Sequence, residues 1–233
     1  MKTRTLIAAS LLFASAANAA TVWIDFGDTA SPSSPNINNI DQIQNPLFNL
    51  VDRSGAGTGI GVNISDVFWP GSNQNGTSAP TGEALALGIP VTATRDNLFG
   101  NTVAFGGFTE PTGGFYLTGL DTSGMIVYDF AFFGSRTGVS DNRVTRYAAT
   151  GANSGFDILN CSNNTGNLAH VIGIQADAFG QIYIDVRPDA TNNNASGFYY
   201  LGFLQIISRP VPAPGVIAAL GAAGLLTSGR RRR

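Results

Sequence analysis

Apolar and polar residues alternate in short runs along the middle of this chain, and that period of two most restricts what it can fold into. TVWIDFG places Val22, Ile24 and Phe26 on one side, GIGVNIS does so with Ile60, Val62 and Ile64, and GQIYIDV with Ile182, Ile184 and Val186. Successive side chains of a strand point to opposite faces, so each run describes a strand with one buried face. GGFYLTGL, MIVYDFAFF, RVTRYAAT, GFDILN, NLAHVIGI and GFYYLGFLQII extend the series, each bounded by Gly, Asn, Asp or Ser. Turn-forming residues at such boundaries separate strands. The pattern predicts an all-β domain of about nine strands, as a sandwich or barrel.

Helical signals are few. EALALGIP and TRDNLFGN each suit a turn or two, the second with Thr94 as its cap, and no segment sustains a period of 3.6. PSSPNINNID, PGSNQNGTSAPTG and DATNNNASG read as loops between strands. The prolines between Ser208 and Pro214 stop the last strand and mark the one clear boundary, so the domain is expected over residues 20–209, with a leader at 1–19 and a tail at 210–233. About 190 residues suit a single domain with a sizeable core.

The two ends carry their own signals. Lys2 and Arg4 precede an apolar stretch over residues 6–14, and Ala17-Asn18-Ala19 supplies a small-x-small cleavage site. These are the parts of a secretory signal peptide, cleaved between Ala19 and Ala20. At the other end, Pro212-Ala213-Pro214 is followed by a short apolar run over residues 216–226 and by Arg230, Arg231, Arg232 and Arg233. This order resembles the PEP-CTERM sorting signal of exported bacterial proteins, with Ala213 standing where that family has glutamate. The resemblance implies a short hydrophobic helix that inserts in the membrane, with the arginines on the cytoplasmic side, and an exosortase-type membrane protease that removes it. The alternative is a permanent single-span anchor, although the apolar run is short for a bilayer. Either way the protein is expected outside the cell or on its surface.

With both ends set aside, seven arginines face all fifteen acids, so the middle carries about −8 and contains no lysine. That balance argues against nucleic acid as a partner and excludes Schiff-base chemistry there. A single cysteine, Cys161, rules out an internal disulfide and reads as a small buried apolar side chain. His170 falls in phase with Leu168, Ile172 and Ile174, which predicts an inward-facing histidine, and no second histidine exists to build a zinc site. No cofactor is expected, with a structural calcium left open. DATNNNAS lacks the glycine and closing glutamate of an EF-hand, and Asp25, Asp28 and Asp41 near the first strand read first as turn residues.

The densest polar stretch is GSRTGVSDNRVTRY. Arg136, Asp141, Asn142, Arg143 and Arg146 beside Tyr147 offer planar hydrogen-bonding groups and a ring for a sugar, against the plainer reading of a long ordered turn. FGDTAS resembles the nucleophile block of GDSL-type esterases, but Thr29 stands where that family has serine and Asn167 where an acid should precede His170. The closing GFYYLGFLQI is similar to the last strand of galactose-binding-like jelly rolls, which implies a jelly-roll-like sandwich whose last strand lies near the first. Two functions remain. One is a non-catalytic module holding extracellular polysaccharide through these loops and exposed Trp23, Trp69 or Tyr199. The other is a structural coat or matrix component without a ligand pocket.

Overall fold

A computed structural model describes residues 20–28, 30–41 and 46–211. Residues 1–19, where a signal peptide is expected, Thr29, residues 42–45, and residues 212–233, where the sorting tail is expected, lie outside the described residues. Among the described residues there are thirteen strands and two short helices. In chain order the strands are β1 (Thr21–Phe26), β2 (Asn38–Ile40), β3 (Gly61–Asp66), β4 (Leu98–Phe105), β5 (Phe108–Glu110), β6 (Gly113–Thr118) and β7 (Ile126–Phe133). They continue as β8 (Val144–Thr150), β9 (Ser154–Asn160), β10 (Ala169–Ile174), β11 (Ile182–Pro188), β12 (Tyr199–Leu201) and β13 (Phe203–Pro210). The helices are α1 (Gly82–Leu87) and α2 (Val91–Arg95). No helix among the described residues is long and apolar enough to cross a membrane.

Two five-stranded sheets form a sandwich. Sheet A has the order β10-β7-β13-β1-β2 and sheet B the order β3-β6-β11-β8-β9. The alternation read from the sequence supplies the core between them. Val22, Ile24 and Phe26 of sheet A and Phe115, Ile182, Ile184 and Val186 of sheet B are almost wholly buried in one cluster. Aromatic pairs bridge the layers: Phe26 meets Phe115 at 5.1 Å between ring centroids, and Phe132 stacks on Tyr147 at 4.8 Å. The last strand pairs antiparallel with the first, Thr21 opposite Ile207. Ala20 and Ser208 exchange backbone and side-chain hydrogen bonds at 3.1 Å, holding the two ends of the domain together.

The strand count exceeds the expected nine for identifiable reasons. GFYYLGFLQII is two strands, because Gly202 turns the chain from one sheet to another; a Cβ there would lie 2.7 Å from Asn97 Oδ1. Its first half, β12, joins β4 and β5 in a third sheet. β4 begins inside TRDNLFGN, where a helix start was expected. Thr94 is instead the fourth residue of α2, its hydroxyl donating to the Thr77 carbonyl at 2.8 Å, and the helix begins after Pro90. β4 and β5 form a hairpin whose ring cluster of Trp69, Phe99, Phe105 and Phe108 covers one end of the sandwich.

A smaller cluster lies on the outside of sheet A. Trp23, Ala131, Phe133, Leu168 and Phe203 pack there against Ala84, Ile89 and Ala93 of the helical segment. The helices thus cover a sheet face that would otherwise expose large apolar side chains. Trp23, expected as an exposed ligand-stacking residue, is 6% exposed, lies edge-on to Phe203 at 5.2 Å and carries the Arg53 guanidinium 4.0 Å above its ring.

Candidate functional site

The polar stretch singled out from sequence is a woven turn. Arg143 Nε donates to Asp141 Oδ1 at 2.9 Å and Nη1 donates to the Tyr200 hydroxyl at 2.5 Å, while Asn194 Nδ2 donates to the other Asp141 oxygen. Asn142 takes part through its amide, which donates to Asn193 Oδ1 at 2.6 Å, and through its side-chain oxygen, which accepts from Asn160. The Arg136 amide donates to the Cys161 carbonyl at 2.8 Å. These polar groups therefore hold the connections to one another. The Arg143 hydrogen bond holds the Asp141 carboxyl below its ordinary value.

Tyr147 is not a surface ring. It is fully buried, its hydroxyl donates to the Tyr200 carbonyl at 2.7 Å, and its inner position follows from strand alternation in β8. Tyr199 is equally buried, and Trp69 is partly covered, stacked on Phe99 at 4.9 Å with its indole N–H donated to the Phe105 carbonyl at 2.9 Å. Cys161 is free and buried beside Tyr147, and burial pushes its thiol up to about 11. A thiol so placed is inert at neutral pH.

His170 faces outward, against expectation. Ala169 and Val171 take the inner positions of β10, and the register shifts between Val171 and Ile174, where Gly173 has φ +76°. That bulge returns Ile174 to the core and leaves Ile172 exposed, which produced the misleading phase in the sequence. His170 Nε2 lies 2.9 Å from Glu83 Oε1, joining α1 to sheet A.

The outer face of sheet B, by contrast, collects exposed side chains suited to a ligand. Tyr183 of β11 sits opposite Tyr116 of β6, with ring centroids 5.6 Å apart. Asn63 Nδ2 donates to the Tyr116 hydroxyl at 2.7 Å, and the Tyr183 hydroxyl donates to Gln181 Oε1 at 2.7 Å, so both rings are held in place. Two strands away, the Arg146 guanidinium lies 3.6 Å above the ring of Phe156, which is 56% exposed. Asp185 stands between the two groups, flanked in register by Gly114 and Ala148, whose small size leaves troughs on either side. The trough lined by Arg146, Ala148, Thr150, Ser154, Gly155 and Phe156 encloses about 460 Å³.

Its electrostatics are mixed. Asp185 has Arg187 Nε at 3.4 Å, yet burial raises its carboxyl above the ordinary value, Arg187 pulling the other way. Arg146 Nε is buried and has no hydrogen-bond partner. Flat rings, a carboxylate and a guanidinium stacked on a ring can together stack on and hydrogen-bond a polyhydroxylated ligand. Sequence reasoning reached Arg146 only as part of the loop and passed over Tyr116, Tyr183 and Phe156. The signal was present for the two tyrosines, which in FYLT and IYID occupy the phase opposite the core residues; in GFDI, Phe156 and Ile158 share an apolar phase that faces outward.

Compared with known protein families, characterised proteins and solved structures, the chain matches none. The functional reading therefore rests on the site itself.

Proposed function

We propose that this is an exported, cell-surface or extracellular-matrix protein whose jelly-roll-like β-sandwich, without catalysing a reaction, holds extracellular polysaccharide on the outer face of sheet B. The observation that carries the reading is the fixed Tyr116–Tyr183 pair beside the Arg146–Phe156 stack on an uncovered sheet. Sugars present one apolar ring face and a rim of hydroxyls, so two aromatic platforms flanking a charged trough suit several residues of a chain better than one monosaccharide. The domain's acidic balance is compatible with a neutral polymer and disfavors nucleic acid.

Delivery belongs to the same proposal. The signal segment exports the chain, the C-terminal tail inserts in the membrane, and an exosortase-type protease acts near Pro212-Ala213-Pro214. The intact mass of the mature protein tests this: loss of both end segments supports it, and retention of the tail replaces sorting with permanent anchoring.

Affinity electrophoresis through gels containing the producing cell's exopolysaccharide tests binding. The wild type should be retarded, and Tyr183→Ala and Phe156→Ala should each migrate faster in those gels while matching the wild type in empty ones. Unretarded wild type would reject this ligand and bring forward a structural coat, which should then show self-association in sedimentation. Asp157 already blunts one route to such assembly. Its carboxylate accepts the His170 amide at 2.7 Å, occupying an N–H on edge strand β10 that another chain would need.

A further inference from the structure

Asp25 was expected in a solvated turn, but it lies inside β1. It points to the outer side of sheet A and is 2% exposed; Asp96, in the link between α2 and β4, is 1% exposed. Among the described residues neither oxygen of Asp25 has a hydrogen-bond partner, and Oδ1 of Asp96 has none either. The remaining Asp96 oxygen accepts the Asp28 amide at 2.7 Å. The chain runs tightly over this carboxylate: a Cβ on Gly27 would lie 2.5 Å from Asp96 Cγ.

Burial raises Asp25 to about 7; the nearby Asp96 charge adds to this, and Ser33 opposes it without reaching hydrogen-bond geometry. Asp96 is likewise raised by burial, with Asp28 adding to the effect and Arg95 opposing it. Arg95 makes no ion pair with Asp96 among the described residues, and its own Nε has no partner.

Two buried carboxylates with bare oxygens are costly unless something positive joins them. The cleft that Asp25 lines with Gly27, Asp28, Asn39 and Ile40 is too narrow for a water molecule. A calcium ion approaches oxygen at about 2.4 Å, closer than the roughly 2.8 Å of a water contact. The same cleft offers neutral oxygens with lone pairs left: the Asn39 side-chain carbonyl, which accepts from Ser33, and the Ile40 carbonyl, which accepts from Gly27. Sulfur and nitrogen ligands are missing from this set, which points to a hard cation.

We propose that Asp25 and Asp96, assisted by neutral oxygens of the segment from Gly27 to Ile40, bind a hard divalent cation of calcium's size that ties this segment to the end of α2. Ser33 and Thr92, whose hydroxyls are 2.5 Å apart, already join the same two pieces.

The test is thermal unfolding of the full chain at neutral pH, first stripped with EDTA and then given CaCl2 or MgCl2. Calcium at a hundredfold excess over its Kd should raise the Tm by roughly 5–10 °C, with magnesium less effective. Asp25→Asn and Asp96→Asn should fold in EDTA and lose the response. An unresponsive wild type would overturn the proposal in favour of a pair neutralised by a proton, and an undiminished response in Asp25→Asn would overturn it by placing the ion elsewhere. Should the variants fail to fold, calorimetric titration of CaCl2 into the stripped wild type decides: one saturable site supports the proposal, and no saturable heat overturns it.

Discussion

The outer faces of the two sheets arise from the same alternating pattern and end in opposite states. On sheet A the outward positions of β1, β7 and β13 include Trp23, Phe133 and Phe203, and the segment containing α1 and α2 folds down to bury them. On sheet B the corresponding positions of β6, β8, β9 and β11 carry Tyr116, Arg146, Phe156 and Tyr183, and no element among the described residues covers them. The large outward rings of sheet A pack beneath this third layer. On sheet B a tyrosine hydroxyl or a guanidinium keeps its contact with water while the ring or stem rests on the sheet, and Phe156 lies beneath the Arg146 guanidinium. A face that needs no cover remains available to a ligand.

The largest expected effect tests this contrast directly. Phe203→Ala should destabilise the domain by about 3–5 kcal/mol in urea unfolding, because it opens a cavity beneath the helices. Phe156→Ala should change stability by no more than about 0.5 kcal/mol, as expected of a surface position. Equal losses would mean that the sheet B face is a structural layer too. Next, Tyr147→Phe should cost about 1–3 kcal/mol, since the Tyr200 carbonyl loses a buried donor at 2.7 Å. Polysaccharide affinity should instead fall by about tenfold in Tyr183→Ala, with an unchanged Tm; a shift in Tm of several degrees would assign Tyr183 to packing.

The smallest effect concerns pH. Asp141 is held below its ordinary value of 3.8, chiefly by Arg143. A depressed carboxyl contributes stability that is present above the unfolded value and lost as pH falls through the folded one. Wild type should therefore lose stability below about pH 3.8 more steeply than Asp141→Asn, by less than about 1 kcal/mol because the pair is partly exposed. Identical acid profiles in circular dichroism would show that the turn is held by its amide hydrogen bonds alone.

Much of the fold was legible residue by residue. Strands such as β1, β3 and β11 were visible because one face had to be apolar, whatever its partner. β4 was not, since LFGN begins apolar on both faces and the strand owes its place to β12, almost a hundred residues away. His170 was misplaced because the bulge at Gly173 shifts the phase by one residue, and no local rule distinguishes that glycine from a turn. The exposed tyrosine pair of sheet B was missed for a related reason. Tyr116 and Tyr183 lie 67 positions apart, and only the pairing of β6 with β11 makes them one surface.

By itself the sequence determined the all-β class, the inward faces of most strands and the buried character of Cys161. These follow from local periodicity and composition, which act within a few residues. Tertiary structure alone decided which outer face would be covered, that Arg143 and Tyr147 serve the framework, and that Asp25 and Asp96 are both buried. Those outcomes depend on strand pairing and on burial, which are set by residues distant in the chain.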